Sequence, residues 1–517
     1  MKTFYKSLIL AAALLYTCTT ALAQENYTNN ARKLFTDNNA VIYEINIRTF
    51  NAKDTNHNDI IDFDLDEESG NFLNAIERLD EIKDMGINTL HVLPVTQVGK
   101  TKALGTAGSL YAAASFNKLN EQLKDSKSNM DITEQAEKFV EEAHKRGIRI
   151  ILDIPACGAY DLYLQRPELF VKDKDQIPVV PADWTDVRLL DAGSEEIVNP
   201  DVFGVYKEFV DLAIDELGVD GIRADVAHCK PAEFWRQLIS YSRKKDPQFL
   251  WLAESSDSWH DAISPYGVFT TYDKLLEAGF DGYYGSFFNL KEWDTSDKLI
   301  NHVLFNTELA KKFSVPKSVI GSFSTHDEVA PVLVNGIPYS KMIIWLNSTL
   351  PVNAYYVDGF ATGDNYIYDW ANQKADITFT DDDYYFAHRG KIDIFNFSRM
   401  PAGNNKELLK EFVTANKFRN SIAPVLANGR FVRLKTNNEH IFAYTMTDNK
   451  TTIVVFGNLN FENIEKTDIK IPELKKQTEY ECIKPTKTAP LIRNRKITVN
   501  LAAGEIGVLL FKNLEIK

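Results

Sequence analysis

The sequence predicts an α/β protein: a (β/α)8 TIM barrel with a small insert after strand three and an antiparallel β domain at the C-terminus. Three observations carry this. Between residues 41 and 360, short β-branched apolar runs alternate with amphipathic helical stretches. Several runs are apolar almost without a break, as parallel strands buried on both faces must be. From about residue 425 the helical pattern gives way to short alternating runs with turn residues between them.

At the N-terminus, Lys2 and Lys6 precede the apolar run LILAAALLY (8–16), and Ala21-Leu22-Ala23 offers a small-residue cleavage site. Residues 1–23 therefore read as a secretory signal peptide, too short to span a bilayer as a helix. Cys18 after Leu15-Tyr16-Thr17 is a poor fit to a lipid-attachment site. Export to the periplasm or beyond the cell is expected, with no transmembrane segment.

Residues 24–424 form the expected barrel region. Its strands are VIYEINIRTF (41–50), INTLHVLPV (88–96), IRIILDI (148–154), GIRADV (221–226), FLWLAE (249–254), GYYGSFF (282–288), SVIGSFS (318–324) and NAYYVDG (353–359). Helical stretches such as NFLNAIERLDEIKDMG (71–86) and ITEQAEKFVEEAHKRG (132–147) separate them, each stopped by a glycine. The stretch 155–200 is too long for a simple connection and is read as an insert walling one side of a cleft. A second long loop, 97–131, follows strand two. Residues 425–517 supply the strands FVRLKT, HIFAYTMT, TTIVVFGNL, KITVNLA and EIGVLLFK.

A net charge of −14 argues against nucleic acid or an anionic membrane as partner. The 22 Tyr and 31 Phe are enough to line a groove as well as fill a core, and neutral sugars remain open. Cys157, Cys229 and Cys482 are too few and too odd in number for a disulfide scaffold. Cys157 and Cys229 read as buried free thiols at strand ends.

Acidic residues stand where four of the apolar runs end. They are Asp153, Asp225 with Arg223 two residues before it, Glu254, and Asp327 after His326. Strands of a barrel converge at their C-terminal ends, so these groups meet on the face where chemistry is done.

In order and spacing the motifs resemble the alpha-amylase family, glycoside hydrolase family 13, over nearly the whole mature chain. The family's strand-four motif G-x-R-x-D is here Gly221-Ile222-Arg223-Ala224-Asp225. The resemblance implies that the C-terminal domain is a β-sandwich, that Asp225 is the nucleophile and that Glu254 is the general acid/base. It makes Asp327 the third carboxylate, holding sugar hydroxyls. Tyr111, in GSLYAAASF (108–116), matches the tyrosine that stacks on the sugar, and Asp153, Arg223, His326 and His228 complete the substrate-binding set. Arg223 shares a strand face with Asp225 and is expected to lower its pKa, while burial and a nearby charge raise that of Glu254. NAKDTNHNDIIDF (51–63) matches a cation loop of the family: Asp54, Asn56, Asn58, Asp62 and the carbonyl of Ile60 offer hard oxygen donors suited to structural Ca²⁺.

The sequence also departs from the family. Its strand-three motif D-x-x-x-N-H keeps Asp153 but has Cys157 and Gly158 for the Asn and His, so a second calcium site is not expected. Ser115-Phe116 replaces an Asp-Tyr, and His228-Cys229 a Lys-His. Trp184, Trp259 and Trp293 are candidate sugar platforms. The expected protein is a monomeric, secreted, retaining enzyme acting on α-glucan or maltooligosaccharide. The alternatives are a related transferase or isomerase of disaccharides, or a glycan-binding protein with a decayed site.

Overall fold

The computed structural model describes residues 27–53, 55, 65, 67–103, 108–181, 186–256, 269–364, 404–475, 478–493, 495–514 and 516. Residues 1–23, expected to be a signal peptide, and Trp184 and Trp259 lie outside them.

Strands β1 (Val41–Ile45), β2 (Thr89–Val92) and β3 (Arg149–Ile154) are followed by a short hairpin, β4 (Cys157–Ala159) and β5 (Val187–Leu189). Then come β6 (Gly221–Ala224), β7 (Leu250–Ala253), β8 (Gly282–Tyr283), β9 (Ser318–Gly321) and β10 (Asn353–Val357). Without the hairpin these are eight parallel strands, closed into a barrel by the pairing of β1 with β10. Each of the eight runs read as a strand supplies one.

The two runs that fall furthest short of their expected ends are 41–50 and 282–288. In 41–50 the strand stops at Ile45, because the Asn46 side chain accepts from Arg48 N–H and starts a helical turn, Ile47–Phe50. In 282–288 only two residues pair, because Gly285 and Ser286 both adopt left-handed backbone and a 3₁₀ turn follows.

Alternation along the strands decides what enters the barrel. Val41, Tyr43 and Ile45 pack outward against the helices. Ile42, Ile151, Leu250, Leu252, Tyr284, Ile320 and Tyr355 fill the interior. Asp153 is in phase with Ile151 and Glu254 with Leu252, so both point inward at the C-terminal rim.

The insert is built on the antiparallel pairing of Cys157–Ala159 with Val187–Leu189. It is stitched to the loop after β2: Asp161 Oδ2 accepts from Lys100 and Thr101 N–H, and Ala159 N–H donates to Ala113 O at 2.8 Å.

Beyond the barrel, the helix Lys406–Ser421 returns against it. Buried Arg419 on that helix donates to the carbonyls of Asn38, Asn347 and Val352. Strands β11 (Arg430–Arg433), β12 (Ile441–Thr447), β13 (Thr451–Asn458), β14 (Glu465–Lys470), β15 (Tyr480–Lys484), β16 (Leu491–Arg493), β17 (Lys496–Leu501) and β18 (Ile506–Lys512) form two antiparallel sheets. The larger sheet packs Phe442, Tyr444, Ile453 and Val455 toward the barrel. Its other face, with Ile441, Val454 and Leu509, meets Ile469, Ile497 and Val499 of the smaller sheet. This is an antiparallel β-sandwich docked on a TIM barrel.

Candidate active site

Arg223, on β6 and 1 % exposed, organises the C-terminal rim. Its Nη1 lies 2.8 Å from Asp153 Oδ2 and 3.1 Å from Asp225 Oδ1, and its Nη2 lies 2.8 Å from Glu254 Oε1. Its Nε donates to Tyr284 Oη at 3.1 Å. Three carboxylates from adjacent strands thus share one guanidinium.

Asp153 is fully buried. Burial pushes its pKa up, but Arg223, His91 and the Tyr111 hydroxyl outweigh burial and hold it below the usual carboxylate range. Asp225 goes the other way. Its Oδ1 accepts from Arg223 and its Oδ2 from Ala156 N–H at 3.0 Å, yet burial and the adjacent Glu254 carboxylate raise its pKa well above the ordinary value. The contact expected between Arg223 and Asp225 is present, but it does not win the balance: one cation serves three anions in a dry site.

Backbone strain sits between the two rim carboxylates. Val226 has φ 41° and ψ 47°, left-handed geometry that a β-branched residue avoids. In it, Val226 N–H donates to Glu254 Oε2 at 2.7 Å.

On the opposite side of the rim, Tyr111 O–H donates to Asp153 Oδ2 at 2.7 Å and lies 3.1 Å from His326 Nε2. The two rings stack with centroids 5.7 Å apart. His326 Nδ1 pairs with the Glu44 carboxylate, and its Nε2 is 3.5 Å from Asp327 Oδ1. Burial lowers the pKa of His326, but Asp327 and Glu44 overcome it and bring the value up to about 9. Asp327 is more open, with its side chain 36 % exposed.

His228 stands slightly apart. Its ring packs 5.1 Å from Phe269 and bonds to the Glu254 main chain, and burial lowers its pKa, so it is a neutral imidazole at pH 7. The structure therefore brings Tyr111, Asp153, Arg223, Asp225, Glu254, His326 and Asp327 together, with His228 at the edge beside Glu254.

The substituted positions are filled rather than vacant. Cys157 and Gly158 lie on β4, and a Cβ at Gly158 would meet the Phe170 ring at 2.8 Å and Leu162 at 3.0 Å. Phe170 and Leu162 of the insert occupy that space. Phe116, in place of a family tyrosine, is core, 5.3 Å from Tyr206. Trp293 packs 4.7 Å from His302, among core side chains. Among the described residues no cysteine is bridged: Cys157 is buried, Cys229 half-buried and Cys482 exposed.

The cation-loop residues Asp54, Asn56, Asn58, Ile60 and Asp62 all lie outside the described residues. The ends of their loop are pinned: Lys53 and Glu68 exchange backbone hydrogen bonds, and Glu67 Oε1 accepts from Thr55 N–H and Oγ1–H at 2.8 Å. Among the described residues no cluster of His, Cys, Asp or Glu could hold a metal.

Sequence reading missed four groups in this network: Glu44, His91, Tyr284 and Tyr355. His91 Nδ1 is 2.9 Å from Tyr355 Oη, which donates to Glu44 Oε2 at 2.8 Å. Glu44 and His91 had a signal, being polar residues inside otherwise apolar strands and in phase with the barrel-facing positions.

No family model matches the sequence. Over 92 % of its length the chain superposes on a maltogenic alpha-amylase from Thermotoga neapolitana, covering 99 % of that chain with a TM-score of 0.67 and 19 % identity. It matches an alpha-amylase from Lactobacillus plantarum over the same shares, with a TM-score of 0.68 and 18 % identity. Among curated proteins it is 22 % identical over 416 residues to an alpha-1,4-glucan:maltose-1-phosphate maltosyltransferase of Picrophilus torridus, which spans 78 % of this chain and 61 % of that one. The corresponding Salinibacter ruber enzyme is 24 % identical over 76 % of this chain and 58 % of its own length. The chain thus spans about three fifths of these relatives. The chain has the fold of these solved alpha-amylases.

Proposed function

We propose that this protein is a retaining glycoside hydrolase that cleaves α-glucosidic bonds of starch-like oligo- or polysaccharides through a covalent glycosyl-enzyme intermediate. The observation that carries this is the single guanidinium bridging Asp225 and Glu254 at neighbouring strand ends. Two carboxyl groups held by one guanidinium suit the spacing of roughly 5–5.5 Å used in retention, not the roughly 6.5–9.5 Å of inversion.

The chemistry follows from the charges. Burial and the neighbouring Glu254 carboxylate raise the proton affinity of Asp225, so the site takes up a proton readily. In the reactive state that proton is on Glu254. Asp225 attacks the anomeric carbon, and Glu254 gives its proton to the departing glycosidic oxygen. Glu254 then takes a proton from incoming water, whose oxygen displaces Asp225 from the anomeric carbon. Arg223 and Ala156 N–H stabilise Asp225 as it departs with its charge restored. Tyr111 stacks on the ring, Asp153, His326 and Asp327 bind hydroxyls, and His228 faces the acceptor side.

A transfer reading has its own support, because the two relatives described above are named as maltosyltransferases. A sugar hydroxyl would then take the place of water in the second step. We further propose that the 51–63 loop binds structural Ca²⁺ and that the mature protein is exported.

Purified mature protein is incubated with maltoheptaose, soluble starch, pullulan, isomaltose, sucrose and trehalose, and the products and their anomers are resolved. Shorter sugars with retained configuration are the expected result, and longer ones identify transfer. No change in any substrate, or an inverted product, overturns the reading.

A further inference from the structure

The polar contacts beneath the site close on themselves. Tyr111 O–H donates to Asp153 Oδ2 at 2.7 Å, and His91 Nε2 lies 3.3 Å from the same oxygen. His91 Nδ1 meets Tyr355 Oη at 2.9 Å, and Tyr355 O–H donates to Glu44 Oε2 at 2.8 Å. Glu44 Oε1 pairs with His326 Nδ1, and His326 Nε2 returns to Tyr111 Oη at 3.1 Å. The circuit joins β1, β2, β3 and β10 to two rim loops. Of its members only Tyr111 is not fully buried. Glu44, His91 and Tyr355 are at most 1 % exposed.

The donors and acceptors leave little freedom. The Tyr111 proton is committed to a carboxylate, so His326 Nε2 must donate to Tyr111. His326 Nδ1 faces a carboxylate and must donate as well. With Tyr355 O–H committed to Glu44, His91 Nδ1 donates to Tyr355.

We propose that Glu44, Tyr355 and His91 are positioning residues whose closed ring holds Tyr111, Asp153 and His326 against the sugar, with Glu44 keeping His326 a charged double donor. This deepens the glycosidase reading and rests on it. It also gives a physical account of the lost Asn-His pair: Phe170 of the insert fills that space, and the hold on the ring comes from the barrel interior instead.

The groups that act on His326 come from several elements. Glu44 stands on β1, Tyr111 on the loop after β2, Arg223 on β6 and Asp327 on its own segment. Asp153 on β3, His91 on β2, Tyr355 on β10 and Tyr284 after β8 stand one contact further out. Glu44 is the anion bound directly to Nδ1, and burial intensifies its effect.

The test follows the His326 imidazole by NMR titration in wild type, Glu44→Gln and Tyr355→Phe, alongside the pH profile of kcat/KM on maltoheptaose. Wild-type His326 is expected to titrate near 9. In Glu44→Gln the midpoint falls by at least about one pH unit, and the alkaline limb of kcat/KM moves with it. The same variant loses about tenfold or more in kcat. Tyr355→Phe frees Glu44 of a donor and moves the midpoint upward. Opposite movements in two folded variants are not what general loosening produces. If Glu44→Gln does not fold, the upward shift in Tyr355→Phe carries the test. A wild-type midpoint near 6.5, or variants that lose stability while midpoint and limb stay put, overturns the ring whether or not the protein is active. Shifted midpoints in a protein inert toward every glycoside tested would support the ring and remove the glycosidase reading.

Discussion

At the N-terminal end of the barrel, Asp281 precedes β8 and is 1 % exposed, as buried as Asp153 at the other end. It takes Arg32 Nε at 2.9 Å, Arg243 Nη2 at 2.7 Å and Trp251 N–H at 3.0 Å. Lys317 is nearby, and burial, with help from Arg243 and Arg32, brings its pKa down to about 8 despite Asp281. At the C-terminal end Asp153, Asp225 and Glu254 share Arg223, and an aspartate is displaced upward instead. Asp281 and Asp153 are buried alike, but the charge count around them differs. Cations in surplus around one satisfied anion tie elements together. Anions in surplus around one cation leave a carboxyl poised to exchange a proton, as an active site needs.

The sharpest way to break this contrast is to remove one carboxylate from each end. Asp225→Asn should lower kcat by roughly 10⁴-fold or more while leaving the unfolding midpoint unchanged or raised, since a crowded negative charge is gone. Asp281→Asn strands two guanidiniums and should cost about 3–5 kcal/mol of stability in urea unfolding, with kcat per folded molecule little changed. If Asp281→Asn lost activity while staying stable, or Asp225→Asn unfolded the protein, the two ends would not differ as argued.

The same contrast explains what the sequence could and could not reveal. The barrel was legible because its strands are apolar on both faces, and Asp153, Arg223, Asp225 and Glu254 because each ends such a run. Glu44 and His91 lie inside runs and were absorbed into them. Glu44 in phase with the interior Ile42, and His91 out of phase with the outward Leu90, were marked as barrel-facing, but only a closed barrel shows that they meet. The left-handed Val226 runs against the preference of a β-branched residue, so tertiary contacts alone impose it. Asp225 was expected to be held low by Arg223, because a sequence shows the pair and not the number of anions sharing the cation.

Protonation offers a second contrast, with the two ends pulling in opposite directions. His326 has its folded pKa raised to about 9. Its contribution is fully present below an unfolded value of about 6.5 and is lost as pH rises through the folded value, roughly 3 kcal/mol at most. Lys317 has its folded pKa lowered to about 8. Its charged form is disfavoured in the fold, so that penalty disappears as pH rises from there toward about 10.4. Unfolding free energy should fall between about pH 6.5 and 8 and level off above, where the two effects oppose. In Lys317→Met the fall should continue through pH 9. A flat wild-type curve across this range would mean that His326 is not charged in the fold.

The smallest expected effect concerns the rebuilt wall of the site. At Gly158 a single added carbon meets Phe170 Cζ at 2.8 Å and Cε1 at 2.9 Å, closer than carbon atoms tolerate. Phe170 is itself buried, so the ring cannot swing into solvent without exposing apolar area. Gly158→Ala should therefore cost about 1–3 kcal/mol, and Phe170→Leu in the same chain should return part of it. The expected effect on kcat is minor, because neither residue bears a group that acts on the sugar. The paired substitution separates two histories of the wall. If relief at Phe170 restores stability, the insert has packed itself into the place where the family carries its histidine, and the sugar's support comes from the barrel interior. If Gly158→Ala is neutral by itself, Phe170 yields freely, and the wall is loose enough to readmit a side chain there.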